Sequence, residues 1–275
     1  MDRYVLLGWP VGHSRSPKMQ MAGFNACGIS ASYECLAVPP EDFADTVKQL
    51  ASSGVCGWNV TVPHKERMFA CCDEVAGEEA RAAHSVNTVV VRDGRMYGYS
   101  TDGIGVDRAL CHDFGFTELP ARQLYLGAGG AAQAAAVYCA RHGAREIFLA
   151  NRTLSRAENL AERIRQAAPE CRVNTMPLIE AKTVVRQCDI VFQCTSLGLH
   201  PGDAMPMEPT EIPPKMPVFD FVYTPSAFRD ALIRQGNPLS AGLEMLLQQG
   251  MESFRLWTGR QAPEEAMRVG LGEKW

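Results

Sequence analysis

The run QLYLGAGGAAQAAAVYCAR, residues 123–141, constrains the fold more than any other stretch, because a β-like segment enters a glycine turn that opens directly into an alanine-rich helix. Gly127 permits the tight turn, Gly129 lets a pyrophosphate approach the backbone, and Ala132 lets helix and strand pack closely. The spacing is G-x-G-x-x-A, and the β-like run REIFLANR follows, as a βαβ unit requires. Such a unit aims a helix N-terminus at an anion and predicts a dinucleotide site. The competing reading is a tight turn with a purely structural role.

About twenty residues past the glycines, NAD-selective proteins place an acid on the ribose 2′-hydroxyl. Here the chain reads Asn151-Arg152-Thr153, with Arg156 close behind. Two guanidiniums and a hydroxyl suit a 2′-phosphate, which favours NADP over NAD. Their plain alternative is solvated charge at a helix start.

The rest of the chain repeats an αβ rhythm. RYVLLGW, SPKMQMAGFNACG, SYECLAV, PEDFADTVKQLASSG and CGWNVTV read as βαβαβ. Pro17 at the first helical position, with Ser16 as its cap, predicts a helix start. Asp93-Gly94 predicts a two-residue hairpin turn within VNTVVVRDGRMYGY. A helix near 103–115 leads into the second αβ series, with a helix over 153–167 and β-like RVNTM, DIVFQCTS and PVFDFVY. Prolines 201, 206, 209, 213, 214 and 217 exclude regular structure between the last two. From Ala241 to Trp257 the chain is helical, with Leu243, Leu246, Leu247, Met251 and Phe254 on one stripe. The fold class is therefore α/β in two domains.

At 275 residues and 46% hydrophobic, the chain can bury the cores this requires. A net charge of −4 without basic runs leaves no footprint for nucleic acid, and no apolar run spans a membrane, so the partner is a small molecule. Ten cysteines sit mostly within apolar helical or strand patterns without a C-x-x-C, which predicts free thiols, a cytoplasmic location and no metal.

The chemistry is carried by GWNVTVPHKE, which delivers Lys65 at the end of a short strand beside Asn59 and Thr61, and by Asp102 in GYSTDGIG. Carbonyl reduction needs a hydride donor, a proton donor for the nascent alkoxide and groups that hold the substrate. Lys65 suits the proton and Asp102 suits its orientation, although either alone reads equally as a surface charge. Ser14 and Ser16 in GWPVGHSRSP place two hydroxyls at a helix start, a setting for a carboxylate or for simple capping. His13 and His64 read as packing or loop residues.

Taken together these segments resemble the shikimate dehydrogenase family, in which NADPH reduces 3-dehydroshikimate to shikimate. The resemblance covers almost the whole chain: GWPVGHSRSP, NVTVPHKE, VNT at 86–88, STDG at 100–103, GAGGAAQA, NRTLSR, VYTP at 222–225, GLEMLLQQ at 242–249 and the closing WTG. It implies a substrate domain of residues 1–103 completed by 240–275, and a Rossmann-type NADP domain of 104–239. It implies Lys65 and Asp102 as the catalytic pair, Ser14 and Ser16 on the substrate carboxylate, Thr61, Asn87 and Gln249 on its hydroxyls, and Tyr223 lining the site. Gly127, Ala128, Gly129, Gly130 and Ala131 take the pyrophosphate, Asn151, Arg152, Thr153 and Arg156 the adenosine phosphate, and Thr195 also meets the cofactor. The implied assembly is a monomer or homodimer. Departures from the family pattern are Gln20-Met21 for His-Asn, His84-Ser85 for Gly-Ala, Ser100 for Asn, and Gln193-Cys194 for Asn-Ala. Two alternatives accompany this reading, a quinate or aminoshikimate dehydrogenase of the same fold and a catalytically silent NADP-binding protein.

Overall fold

A computed structural model describes residues 1–198, 202–222 and 225–272, and the chain divides into two compact units, Met1–Gly105 with Leu246–Trp275, and Val106–Met245. The first unit is built from β1 (Asp2–Gly8), α1 (Ser16–Ala26), β2 (Ala31–Ala37), α2 (Phe43–Ser52), β3 (Gly57–Val60), α3 (Lys65–Cys71), β4 (Glu74–Val75), α4 (Glu78–Ala83), β5 (Thr88–Arg92) and β6 (Arg95–Tyr99). α5 (Asp102–Phe114) starts in this unit and ends in the second. Strand order is β2-β1-β3-β5-β6-β4, with β1 parallel to both neighbours and β5 antiparallel to β3 and β6.

The side-chain period of two sorts β1 between two cores. Val5 and Leu7 enter one with Phe43, Val47 and Leu50 of α2 and Trp58 of β3. Tyr4 and Leu6 enter the other with Met19 and Phe24 of α1. The sheet is thus covered on both faces, which explains why β1 reads as a continuous apolar run. The hairpin forms where Asp93-Gly94 predicts it: Arg92 faces Arg95, and the two turn residues have φ of 51° and 73°, the left-handed pair a type I′ turn needs.

Two local expectations are corrected. Lys65 does not end a strand. β3 stops at Val60, a turn closes with His64 N–H donating to Thr61 O at 3.0 Å, and Lys65 is the first residue of α3. Pro63 has no N–H with which to continue the ladder, and Lys-Glu-Arg-Met favours a helix. Ser16 likewise lies inside α1 rather than capping it; Arg15 holds the cap position, and the Ser16 N–H donates to Ser14 Oγ at 3.2 Å.

The second unit contains β7 (Arg122–Leu126), α6 (Gly130–His142), β8 (Glu146–Asn151), α7 (Leu154–Ala167), β9 (Arg172–Pro177), β10 (Ile190–Gln193), β11 (Val218–Asp220), α8 (Ala227–Gln235) and β12 (Leu239–Ser240). Its sheet runs β12-β11-β10-β7-β8-β9 with every pair parallel. Read by chain order from β9, this is the 3-2-1-4-5-6 arrangement of a Rossmann sheet, whose order reverses between β7 and β10. The proline-rich connection is not wholly irregular, since Pro209–Glu211 forms one turn of 3-10 helix in which proline takes the tolerated first position.

α9 (Leu243–Thr258) returns the chain to the first unit and α10 (Glu264–Gly270) ends it. Leu247 and Phe254 of the predicted α9 stripe are fully buried against Tyr4, Met19 and Phe24. Gly250 permits the approach, since a Cβ there would collide with the Met19 side chain, and Gln20 Nε2 donates to Gly250 O at 2.9 Å. This close packing brings Gln249 into the first unit.

Candidate active site

Lys65 Nζ donates to Asp102 Oδ2 at 2.7 Å, and the two side chains are 12% and 5% exposed. Each residue begins a helix. The α5 N-terminus favours the Asp102 carboxylate, whereas Lys65 at the start of the short α3 relies on the carboxylate for compensation. The second carboxylate oxygen, Oδ1, accepts from Asn87 Nδ2 at 2.9 Å. Asn87 is fixed in turn by backbone bonds on both sides: its N–H donates to Tyr99 O at 3.0 Å, and its carbonyl accepts from Val60 N at 2.8 Å. Val86 N–H donates to Lys65 O at 3.1 Å, which anchors the lysine backbone to the same segment.

Of the other residues predicted to hold a substrate, Gln249 is linked to this pair through Asn87. Gln249 Nε2 donates to Leu246 O at 2.8 Å, while its Oε1 receives only long contacts from Asn87 Nδ2 at 3.4 Å and Thr101 Oγ1 at 3.5 Å. That leaves its carbonyl readily available to a better donor. Ser14 Oγ donates to Ser16 Oγ at 3.2 Å, so the two hydroxyls sit together at the head of α1, with Ser14 part-exposed and Ser16 buried. Thr61 is part-exposed, its N–H tied to Leu7 O at 2.8 Å. Tyr223 lies outside the described residues. His64, beside the lysine, is a packing residue: it is buried, stacks on Phe43 at 4.4 Å, and its Nε2 meets Val38 O at 2.7 Å. Burial lowers its pKa and keeps it neutral.

In the second unit the glycine turn stands at the C-terminal ends of β7 and β10, where the strand order reverses. Gly127 has φ of 106°, and a Cβ there would meet the Cys194 carbonyl carbon at 2.9 Å, so only glycine fits. Gly129 is different. Its φ is −86°, a Cβ would project into open space, and it caps α6 without a side-chain hydrogen bond. Room beside free first-turn N–H groups is what a pyrophosphate requires, and Gly130 and Ala131 supply the first residues of that turn. Ala128 N–H donates to Asn151 Oδ1 at 3.2 Å, and Asn151 Nδ2 donates to Thr153 O at 2.8 Å, which ties the turn to the start of α7. Arg152, Thr153 and Arg156 are exposed there, so both guanidiniums are accessible to an anion. These residues fit NADP.

Sequence reasoning missed two features. Gln193, noted only as a departure, organises its loop: Oε1 accepts from Thr195 N at 2.9 Å and Thr195 Oγ1 at 2.8 Å, while Nε2 donates to Leu197 O at 2.9 Å. Tyr33, Thr88, Thr101 and Ser253 form a buried polar cluster with Asn59 behind Asn87. The one hint in sequence is that Ser253 lies one helical turn beyond Gln249.

Models described as shikimate dehydrogenase substrate binding domain, shikimate/quinate 5-dehydrogenase and shikimate 5′-dehydrogenase C-terminal domain match residues 6–89, 116–201 and 242–268. A shikimate dehydrogenase (NADP(+)) of Rubrobacter xylanophilus is 41% identical, over 97% of this chain and 94% of its own. The crystal structure of shikimate 5-dehydrogenase from Thermus thermophilus in complex with NADP(H) and shikimate superposes with a TM-score of 0.86 at 32% identity, covering 99% of each chain. Quinate dehydrogenase from Corynebacterium glutamicum in complex with NAD superposes with a TM-score of 0.88 at 27% identity, covering 98% of each.

Proposed function

The chain belongs to the shikimate dehydrogenase family, and we propose that it catalyses the reversible NADPH-dependent reduction of 3-dehydroshikimate to shikimate, a step towards the aromatic amino acids, with Lys65 and Asp102 as the catalytic pair. The observation that carries this reading is the buried 2.7 Å pair of Lys65 and Asp102, with the Asn87 amide on its other oxygen. NADPH, when bound, supplies the hydride. Lys65 Nζ gives its proton to the carbonyl oxygen as that oxygen gains charge, and Asp102 orients the amine and balances its charge. In the reverse direction the same nitrogen takes the proton from the substrate hydroxyl.

The remaining roles follow the same reading. Ser14 and Ser16 hold the carboxylate, Thr61, Asn87 and Gln249 hydrogen-bond the ring hydroxyls, and Tyr223 is assigned to the lining of the site. Gly127, Ala128, Gly129, Gly130 and Ala131 hold the pyrophosphate, with Thr195 on the same cofactor. Asn151, Arg152, Thr153 and Arg156 surround the 2′-phosphate. Residues 1–103 with 240–275 form the substrate domain and 104–239 the NADP domain, in a cytoplasmic monomer or homodimer. The free thiols of all ten cysteines favour that location, and no described helix is long and apolar enough to cross a membrane.

The test is loss of NADPH absorbance with 3-dehydroshikimate and, separately, with 3-dehydroquinate, each repeated with NADH. The reading predicts rapid oxidation of NADPH by 3-dehydroshikimate alone. Faster turnover of 3-dehydroquinate, or of NADH, moves the protein to the quinate branch, and binding of NADPH without turnover of either substrate marks a silent binder.

A further inference from the structure

Behind Asn87 lies a series of side-chain hydrogen bonds whose donors point in one direction. Tyr33 OH donates to Asn59 Oδ1 at 2.8 Å. Asn59 Nδ2 donates to Thr88 Oγ1 and to Ser253 Oγ, each at 3.0 Å, and also to the Asn87 carbonyl at 3.0 Å. Ser253 Oγ lies 2.8 Å from Thr88 Oγ1. Thr88 Oγ1 donates to Asn87 Oδ1 at 3.0 Å, and Asn87 Nδ2 donates to Asp102 Oδ1 at 2.9 Å.

Two backbone groups fix the sense of the series. The Thr101 N–H donates to Asn87 Oδ1 at 2.9 Å, which makes that atom the carbonyl oxygen and turns Nδ2 towards Asp102. The Asn87 backbone carbonyl accepts from Asn59, which makes the donating atom the amide nitrogen and leaves Oδ1 for Tyr33. Burial pushes the Tyr33 phenol well above its ordinary range, so the first member keeps its proton and donates. Tyr33, Asn59, Thr88 and Ser253 are each at most 6% exposed.

Polar groups buried this deeply are costly unless all are satisfied, and aligned bonds in such surroundings strengthen one another. We infer that Tyr33, Asn59 and Thr88, bridged by Ser253, act as positioning residues that hold the Asn87 amide on Asp102 and thereby set the line of the Lys65 amine. Thr88 is the member on which the series converges. Loss of its hydroxyl leaves the Asn87 side chain held only by Thr101 and a long contact to Gln249 besides the carboxylate itself, and so less firmly aimed at Asp102.

This inference rests on the assignment of Lys65 and Asp102 as the catalytic pair. The experiment compares kcat, with the KM for NADPH as control, for Thr88→Val, Thr88→Ser, Tyr33→Phe, the Tyr33→Phe/Thr88→Val double variant and Lys65→Met. Thr88→Val preserves shape and is expected to lower kcat about tenfold with the NADPH KM unchanged, the size of one hydrogen bond that reaches a charged group. Thr88→Ser, which keeps the hydroxyl, should stay within about twofold of wild type. Tyr33→Phe should cost about threefold alone and nothing further on Thr88→Val, because the two act in series. Equal losses in Thr88→Val and Thr88→Ser would mean that packing alone matters, and wild-type kcat in Thr88→Val with an inactive Lys65→Met would remove the positioning role while leaving the catalytic pair intact. Full turnover by Lys65→Met would instead overturn the catalytic pair and the positioning role together.

Discussion

Lys65 and Asp102 are the first residues of two different helices, and their side chains meet at 2.7 Å in a setting almost closed to solvent. A charge pair so buried is sensitive to loss of either partner, because the survivor remains desolvated without compensation. Asp102→Asn should therefore lower kcat about 100-fold and destabilise the fold by about 2 kcal/mol, roughly 5 °C in Tm. On a Lys65→Met background the same change should cost little more in either measurement, and strictly additive losses in kcat and in Tm would show that the two side chains do not act together.

In the proposed function the two exposed guanidiniums at the start of α7 carry the choice of cofactor. Charge-assisted bonds of this kind are worth about 1.5–3 kcal/mol, so Arg152→Ala should raise the KM for NADPH by about 10- to 100-fold and leave that for NADH nearly unchanged. Steady-state titration with each cofactor decides it. An equal rise for both would remove the phosphate contact.

Gly127 and Gly129 separate a structural turn from a ligand site. Gly127→Ala forces a side chain into a φ of 106° against Cys194 and should lower Tm as well as NADPH binding. Gly129→Ala meets no protein atom and has ordinary φ, so it should keep the wild-type Tm while NADPH binding, followed by fluorescence, falls at least tenfold. Wild-type binding by Gly129→Ala would mean that no cofactor backbone passes there.

Asp220 at the end of β11 gives the stability a pH dependence. Burial pushes its pKa from 3.8 to about 7, against the opposing pull of the Val222 N–H and Arg229. The folded protein thus binds this proton more tightly than the unfolded chain, and the associated stability, complete below about pH 4, is lost as pH rises through about 7. Asp220→Asn removes the dependence. It should raise stability at pH 8 by about 2–4 kcal/mol and change little at pH 4, as read from urea unfolding at the two pH values. A smaller gain at pH 8 than at pH 4 would contradict the sign.

The features readable in the sequence are those set by neighbours along the chain. Asp93-Gly94 dictates its own turn, and QLYLGAGGAA carries both the strand and the helix that follows it. What was not readable is either a competition between local signals or a set of contacts between distant parts of the chain. The helical start at Lys65 follows from Pro63 ending the ladder, a competition that a run of apolar and polar residues does not display. Ser16 looks like a cap, yet Ser14 supplies the oxygen. The cluster behind Asn87 draws Tyr33 from β2, Asn59 from β3, Thr88 from β5 and Ser253 from α9, residues unremarkable singly and brought together only by the sheet order and by α9 returning to the first unit.

Whether Lys65 moves the proton is decided by single-turnover reduction of 3-dehydroshikimate by Lys65→Met, with shikimate and NADPH binding measured beside it. The rate should fall about 1,000-fold, within the range for loss of a positioned acid, with NADPH binding unchanged and shikimate binding weakened no more than tenfold. A rate within threefold of wild type, on a variant that still binds both ligands, would contradict it.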